Sequence, residues 1–336
     1  MRRVVLFLLA ALAWPLAAGA QSFESQDWQL ACDNTRTCRA AGYQREHDVP
    51  AVSVLFTRLA GPRAPLYAEL RLATPEGSPH PGSVRMLVAG KPGATIALDR
   101  DNHALLGGAA VDALLKALAA NASVAFTAGK ATWRLSADGA GAVLQKMDDL
   151  QGRTGTATAL LRRGTLGDDN VVLPLALPTV QAVRIAAARP GDDELAGRIV
   201  AMIPHNDDCP LLDDGQARQD PHNAPRLWHL DANRVLVTVA CWRRGDASGA
   251  GYWIANLRPP FAPRVLTLSG SGFDEASRLW ATQKAGGGDC GSADVWTWNG
   301  FEFELTRSST HGLCRGVADG GAWELPTVVA EVIPVK

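Results

Sequence analysis

Six cysteines constrain this chain more than any other feature: Cys32, Cys38, Cys209, Cys241, Cys290 and Cys314. An even count behind an export leader points to disulfides, because thiols pair and stay paired only in an oxidising compartment. Six cysteines allow fifteen pairings, and we expect the three that join sequence neighbours: 32 with 38, 209 with 241, and 290 with 314. A zinc site would need paired ligands such as C-x-x-C with regularly spaced histidines. His311 before Cys314 and His205 near Cys209 come closest to that, so no metal and no other cofactor is expected.

The leader is read from the first twenty residues. Arg2 and Arg3 precede an apolar run from Val4 to Leu16, and Ala18-Gly19-Ala20 supplies the small side chains that a signal peptidase accepts, so cleavage is expected after Ala20. The run is shorter than the ~20 residues a spanning helix needs, and Pro15 interrupts its end. No cysteine stands at the start of the expected mature chain to carry a lipid anchor, and no later segment is apolar enough to cross a bilayer. The expected location is periplasmic or secreted.

With the leader removed roughly 300 residues remain, more than one hydrophobic core ordinarily serves. The expected layout is a leader over 1–20, an N-terminal β-rich domain with two helices over 21–163, a proline-containing linker over 164–191, and a C-terminal β domain over 192–336. Pro174, Pro178 and Pro190 prevent regular ladder bonding in the linker. In the first domain, β-branched runs at 52–57, 66–72, 84–88 and 95–98 read as strands. Val111, Leu114, Leu115 and Leu118 share one helical face, as do Val143, Leu144, Met147 and Leu150. The second domain opens with a helix near Asp192 and becomes almost all strand. The fold class is therefore mainly β with a few helices (α+β): an antiparallel sandwich-like domain carrying two helices, then an antiparallel sandwich or barrel. In the run Val295 to Phe303, Asn299-Gly300 predicts a two-residue turn. That register sets Trp298 against Phe301 and Trp296 against Phe303, and packs all four rings into the core.

Charge is balanced, with 33 basic and 34 acidic residues and a formal net charge of −1. That leaves no general pull toward nucleic acid or an anionic membrane surface. Gly270-Ser271-Gly272 lacks the spacing of a nucleophile elbow. Adjacent carboxylates such as Asp148-Asp149 and Asp213-Asp214 read as turns or helix ends. The acidic stretch from His205 through Asp207, Asp208, Asp213 and Asp214 misses the calcium-loop pattern. The loop Lys284-Ala285-Gly286-Gly287-Gly288-Asp289-Cys290-Gly291 lacks the order of a phosphate-cradling loop. It still makes Lys284 and Asp289 candidate binding residues.

Several motifs carry a resemblance. They are Phe23-x-x-x-x-Trp28 leading to Cys32, Cys38-Arg39-Ala40-Ala41-Gly42-Tyr43, Lys146-Met147-Asp148 before Gln151-Gly152-Arg153, Gly288-Asp289-Cys290-Gly291, Trp296-x-Trp298-x-Gly300 and Cys314-Arg315-Gly316. Together they resemble the bacterial exported six-cysteine proteins grouped as domain-of-unknown-function family 1176, over nearly the whole mature chain. The resemblance implies export but transfers no activity or catalytic residue. One departure is Lys284-Ala285-Gly286-Gly287, where a more basic loop is expected. The Trp28-to-Cys32 stretch is also similar to invasion-associated locus B proteins, which are exported and non-enzymatic. Ser248-Gly249-Ala250-Gly251-Tyr252 resembles the S-G-x-x-Y signature of periplasmic lysozyme inhibitors, which would make Ser248, Tyr252 and Lys284 a plug for the lysozyme cleft. The expectation is a non-enzymatic envelope protein that binds an envelope protein or a glycan and no nucleic acid. The alternatives are a lysozyme inhibitor, or a cell-envelope hydrolase using Asp289.

Overall fold

The computed structural model describes residues 21–334 apart from 75–76, 187, 216–219, 246 and 275. The expected leader lies outside the described residues. The chain begins as a meander of β1 (Gln21–Ser25), β2 (Trp28–Cys32), β3 (Cys38–Tyr43), β4 (Val52–Arg58) and β5 (Leu66–Leu72). After β6 (Ser83–Val88) and β7 (Lys91–Ala97), the short β8 (His103–Leu105) returns to pair with β5 and completes a six-stranded sheet. Helix α1 (Gly108–Ala119) leads into the hairpin β9 (Val124–Ala128) and β10 (Ala131–Leu135), which joins β6 and β7 in a four-stranded sheet. Helix α2 (Ala140–Leu150) follows. Alternation along β4 sends Val52, Val54 and Phe56 into one core with Trp28, Met86, Phe126 and Trp133. The stripes of α1 and α2, Leu114, Leu118, Val143, Leu144 and Met147 among them, close that core. Burying each large side chain contributes about 1.5–3 kcal/mol.

The motif around Asp148 turns out to be a buried polar knot. Arg58 Nη2 donates to Asp148 Oδ1 at 2.7 Å, and both side chains are essentially out of solvent. Arg58 Nε donates to Gln151 Oε1 at 2.6 Å, and the Leu160 N–H donates to Asp148 Oδ2 at 2.7 Å. Burial pushes the Arg58 pKa down, and the neighbouring Asp148 carboxylate opposes that shift. Arg153 donates to the Gly61 carbonyl at 2.5 Å and to Thr158 Oγ1 at 3.0 Å. Helix α2, strand β4 and the loop after α2 are thereby locked together.

Residues 164–178 run along the first unit with only one short turn at 168–170, held by Val172 N–H to the Gln151 carbonyl (3.1 Å) and Gly61 N–H to the Val172 carbonyl (2.8 Å). Strand β11 (Thr179–Gln181) then forms a parallel pair with a strand from the far end of the chain, residues 331–333. Helix α3 (Asp192–Val200) opens the second unit. Its first residue, Asp192, accepts from Arg189 N–H at 2.6 Å and pairs with buried His229 at 2.9 Å.

Strands β12 (Arg226–His229), β13 (Arg234–Arg244), β14 (Ala247–Asn256) and β15 (Arg264–Gly270) form a four-stranded sheet in sequence order. Strands β16 (Gly272–Phe273), β17 (Arg278–Ala285), β18 (Cys290–Trp298), β19 (Phe303–Thr310) and β20 (Leu325–Val329) form a five-stranded one, and β21 (Glu331–Ile333) is the partner of β11. Val235, Val237, Val239 and Cys241 of β13 pack under Ala196 and Ile199 of α3. On the other face, Leu236 meets Tyr252, Leu279, Trp298 and Phe303 between the two sheets. No described sheet closes into a barrel.

The structure overturns the register expected for the β18–β19 hairpin. Trp298 pairs with Phe303 and Trp296 with Leu305, leaving a four-residue loop, Asn299 to Glu302. A two-residue turn needs positive φ at both central positions, but only Gly300, at +91°, adopts it. The Asn299 side chain instead accepts from the N–H groups of Phe301 (2.9 Å) and Glu302 (2.8 Å). Phe301 therefore sits at the loop tip, 75% exposed, while Trp298 and Phe303 remain in the core.

Three disulfides hold the chain: Cys32–Cys38 across β2 and β3, Cys209–Cys241, and Cys290–Cys314.

Candidate functional site

The core between the two C-terminal sheets fills only part of the space they enclose. Beyond Leu236, Ile254 and Trp298 it gives way to a groove of about 1060 Å³. Strands β13 and β14 supply Thr238, Ala240, Ala250 and Tyr252, β12 supplies Arg226 and Trp228, and β17 supplies Trp280, Thr282, Gln283 and Lys284. Rings and glycines are matched here. A Cβ at Gly249 would stand 2.5 Å from the Trp242 ring, one at Gly270 2.3 Å from Tyr252, and one at Gly272 2.2 Å from Trp280. Each ring lies flat on strand backbone that a side chain would otherwise cover, an arrangement that stiffens a glycine-bearing strand. The one-residue bulge at Cys241 sets the register that brings Trp242 across from Gly249.

The rings are fixed further by their neighbours. Trp242 Nε1 donates to the Leu268 carbonyl at 3.0 Å. Trp228 stacks near Tyr252 at 6.5 Å and meets the edge of Phe273 at 5.0 Å. Trp228, Trp242, Phe273 and Trp280 remain half-buried, so part of each surface faces the groove. Tyr252 is only 4% exposed. Burial raises its pKa, while Thr238 and the positive Arg226 work against that rise.

Four cations line the groove: Arg226, Arg243, Arg244 and Lys284, all exposed. Arg244 lies over the Trp242 ring at 5.7 Å, a contact worth about 0.5–1 kcal/mol at an exposed site. Among the described residues none of the four is ion-paired, and no carboxylate lines the groove. A second cavity of about 820 Å³ contrasts with it. Three of its four arginines, Arg39, Arg278 and Arg307, are bound to carboxylates, those of Asp33, Asp274 and Glu324, and Arg184 has no such partner among the described residues.

The residues singled out in sequence therefore divide. Ser248, Tyr252 and Lys284 come together in the groove, with Ser248 exposed near the start of β14 and Tyr252 in the floor. Asp289 does not join them. Its Oδ2 accepts from Gly316 N–H at 2.5 Å, and Oδ1 is buried without a partner. Around it, Gly320 N–H donates to the Gly288 carbonyl at 2.7 Å and His311 N–H to the Gly291 carbonyl at 2.8 Å. With the Cys290–Cys314 bridge, these bonds make the glycine loop a seat for residues 311–320. Asp289 and the sulfurs of Cys290 and Cys314 lie within 4.8 Å of one another, but the disulfide occupies both thiols. In the acidic stretch, His205 bonds to Asp213 at 2.5 Å and to Asp207 at 3.1 Å.

Sequence reading missed Trp228, Trp242, Phe273, Trp280 and the three groove arginines. The available signal was the alternation of glycine and aromatic residues in Gly249-Ala250-Gly251-Tyr252 and Gly270-Ser271-Gly272-Phe273. Only strand pairing shows which ring each glycine serves.

The sequence matches the family described as a protein of unknown function (DUF1176) over residues 22–330. The chain belongs to this DUF1176 family. No curated protein matches the DUF1176 chain. Among solved structures it is similar to the invasion associated protein B of Bartonella henselae, at 16% identity, across 39% of this chain and 98% of that one. The TM-score is 0.27, and the likeness carries no argument about function. No described helix is long and apolar enough to cross a membrane.

Proposed function

We propose that this DUF1176 chain is an exported, envelope-associated binding protein that holds its ligand in the groove of the C-terminal unit without transforming it. The supporting observation is one lining with two components: rings seated flat on strand glycines, and cations with no carboxylate partner among the described residues. Concave sites with a few converging polar groups are the ordinary form of a binding pocket. Against hydrolysis, no carboxylate pair of the kind a glycosidase needs lies among the described lining residues. Ser271 spends its hydroxyl on the Thr282 backbone, donating to the carbonyl at 3.1 Å and accepting from N–H at 2.9 Å. A lysozyme plug has to protrude, whereas Tyr252 lies in the floor of the groove. Three disulfides fit an oxidising compartment.

The test uses protein labelled with 5-fluorotryptophan and titrated with purified bacterial envelope polysaccharide and, separately, envelope protein extract. The ¹⁹F signals of Trp228, Trp242 and Trp280 are expected to shift with one fraction, while those of buried Trp28 and Trp133 stay in place. The reading fails if neither fraction moves the groove signals, or if the bound polymer is recovered cleaved.

A further inference from the structure

We propose further, resting on the groove as the binding site, that its ligand is an acidic glycan: a polysaccharide segment whose sugar rings stack on the aromatic floor and whose acidic groups meet the cations beside it. The floor argues for sugar. Flat indole rings that keep part of their surface open to the groove match the C–H faces of a pyranose ring, and the glycines beneath hold Trp242 and Trp280 against the strands. Pre-set rings avoid the ordering cost that mobile side chains incur on binding.

The charges argue for acidity. Like charges gathered on a concave, partly apolar surface focus a positive potential into it. Some arginines elsewhere are neutralised by carboxylates, Arg39 by Asp33, Arg234 by Asp231, Arg278 by Asp274 and Arg307 by Glu324; what marks the groove is that four cations gather in one lining. Arg226, Arg243, Arg244 and Lys284 have no such partner among the described residues, and guanidinium groups bind carboxylates through a planar two-point fork.

Two other polyanions are disfavoured. An acidic peptide added as a strand needs a free sheet edge; of the two floor strands β14 is interior, and β13 lacks a second neighbour only beyond Thr238, so a peptide finds an edge along just part of the groove. A nucleic acid is steered by broad positive charge, and the chain as a whole carries a formal net charge of −1.

The experiment is calorimetric titration of the full disulfide-bonded protein at two salt concentrations. The probes are decamers of α-1,4-galacturonate and of β-1,4-mannuronate, each beside its carboxyl-reduced neutral form, and a single-stranded oligodeoxynucleotide of equal charge. At least one uronate is expected to bind tenfold or more tightly than its reduced form, and to weaken as salt rises. The double variant R226A/K284A is expected to lose at least tenfold for that uronate with an unchanged melting temperature, since both side chains are exposed. Trp242→Ala is expected to weaken binding of the uronate and of its reduced form alike. Equal binding of acidic and reduced forms, with groove tryptophans perturbed, overturns the acidic assignment and leaves the groove as a binding site. Binding of neither form, binding indifferent to both variants, or tighter binding of the oligodeoxynucleotide also overturns it.

Discussion

Trp242 can lie open to a groove and still be rigid because the backbone beneath it has no side chain. The same device occurs buried in the N-terminal unit, where a Cβ at Gly42 would stand 2.3 Å from the Trp28 ring. Trp28 there donates to the Ser136 carbonyl at 2.9 Å and is wholly core. Sequence shows aromatic and glycine in both cases, and only their surroundings separate packing from presentation. His205 yields a residue-scale prediction. Hydrogen bonds to Asp213 and then Asp207 raise its pKa above the ordinary histidine value. A raised folded value means that the interaction's contribution to stability is complete below the ordinary titration range near pH ~6.5. It is then lost as pH rises through the raised value. An NMR titration of the His205 imidazole is expected to give a midpoint above that range, and Asp213→Asn should lower it. A midpoint at or below ~6.5 in the native chain would contradict the contact.

At the scale of elements, the stripes of α1 and α2 were legible because a single periodicity decides which face is buried. The paired β2 and β3, bridged at their ends by Cys32–Cys38, were legible from spacing alone. The register of β18 and β19 was not. Asn-Gly is compatible with several turns, and the choice here came from the Asn299 side chain capping Phe301 and Glu302. The Asp148 motif was visible as a motif without a role. Its role follows from Arg58, ninety residues earlier in the chain, which no local pattern connects to it. Removing one partner of a buried pair leaves the other charge uncompensated, at about 3–5 kcal/mol. Asp148→Ala is therefore expected to lower urea-unfolding stability by about that much, and Asp148→Asn by less. A loss below about 1 kcal/mol for the alanine variant would place the knot among weak surface pairs.

Over the whole molecule, the expected division into two domains meets an extensive join. Tyr43 and Leu55 of the first sheet share a cluster with Val317, Trp323 and Leu325 from the far end of the chain. Trp323 Nε1 donates to Ser53 Oγ at 2.6 Å, and Arg315 pairs with Asp27 at 2.8 Å. The Asn34 side chain bonds Val329 twice, donating to its carbonyl and accepting from its N–H. We predict that Trp323→Ala costs about 3–5 kcal/mol, the usual loss for a buried Trp. It should also split a single calorimetric transition into two. One unsplit transition at the native temperature would show that the join contributes little.

What the sequence determined alone was whatever depends on neighbours along the chain. The strand and helix runs follow from side-chain periodicity, and the β-rich α+β class from their order. The disulfide pairs join cysteines that lie near one another in the sequence, and the family follows from motifs spread over residues 22–330. Only the tertiary structure decided what Cys290 and its glycine loop are for: they seat the segment that covers the first sheet. Tertiary structure also put Ser248 and Lys284 beside rings from β12, β13 and β17. A groove between two sheets is made of residues far apart in sequence, and its charge is set by which carboxylates the fold leaves outside.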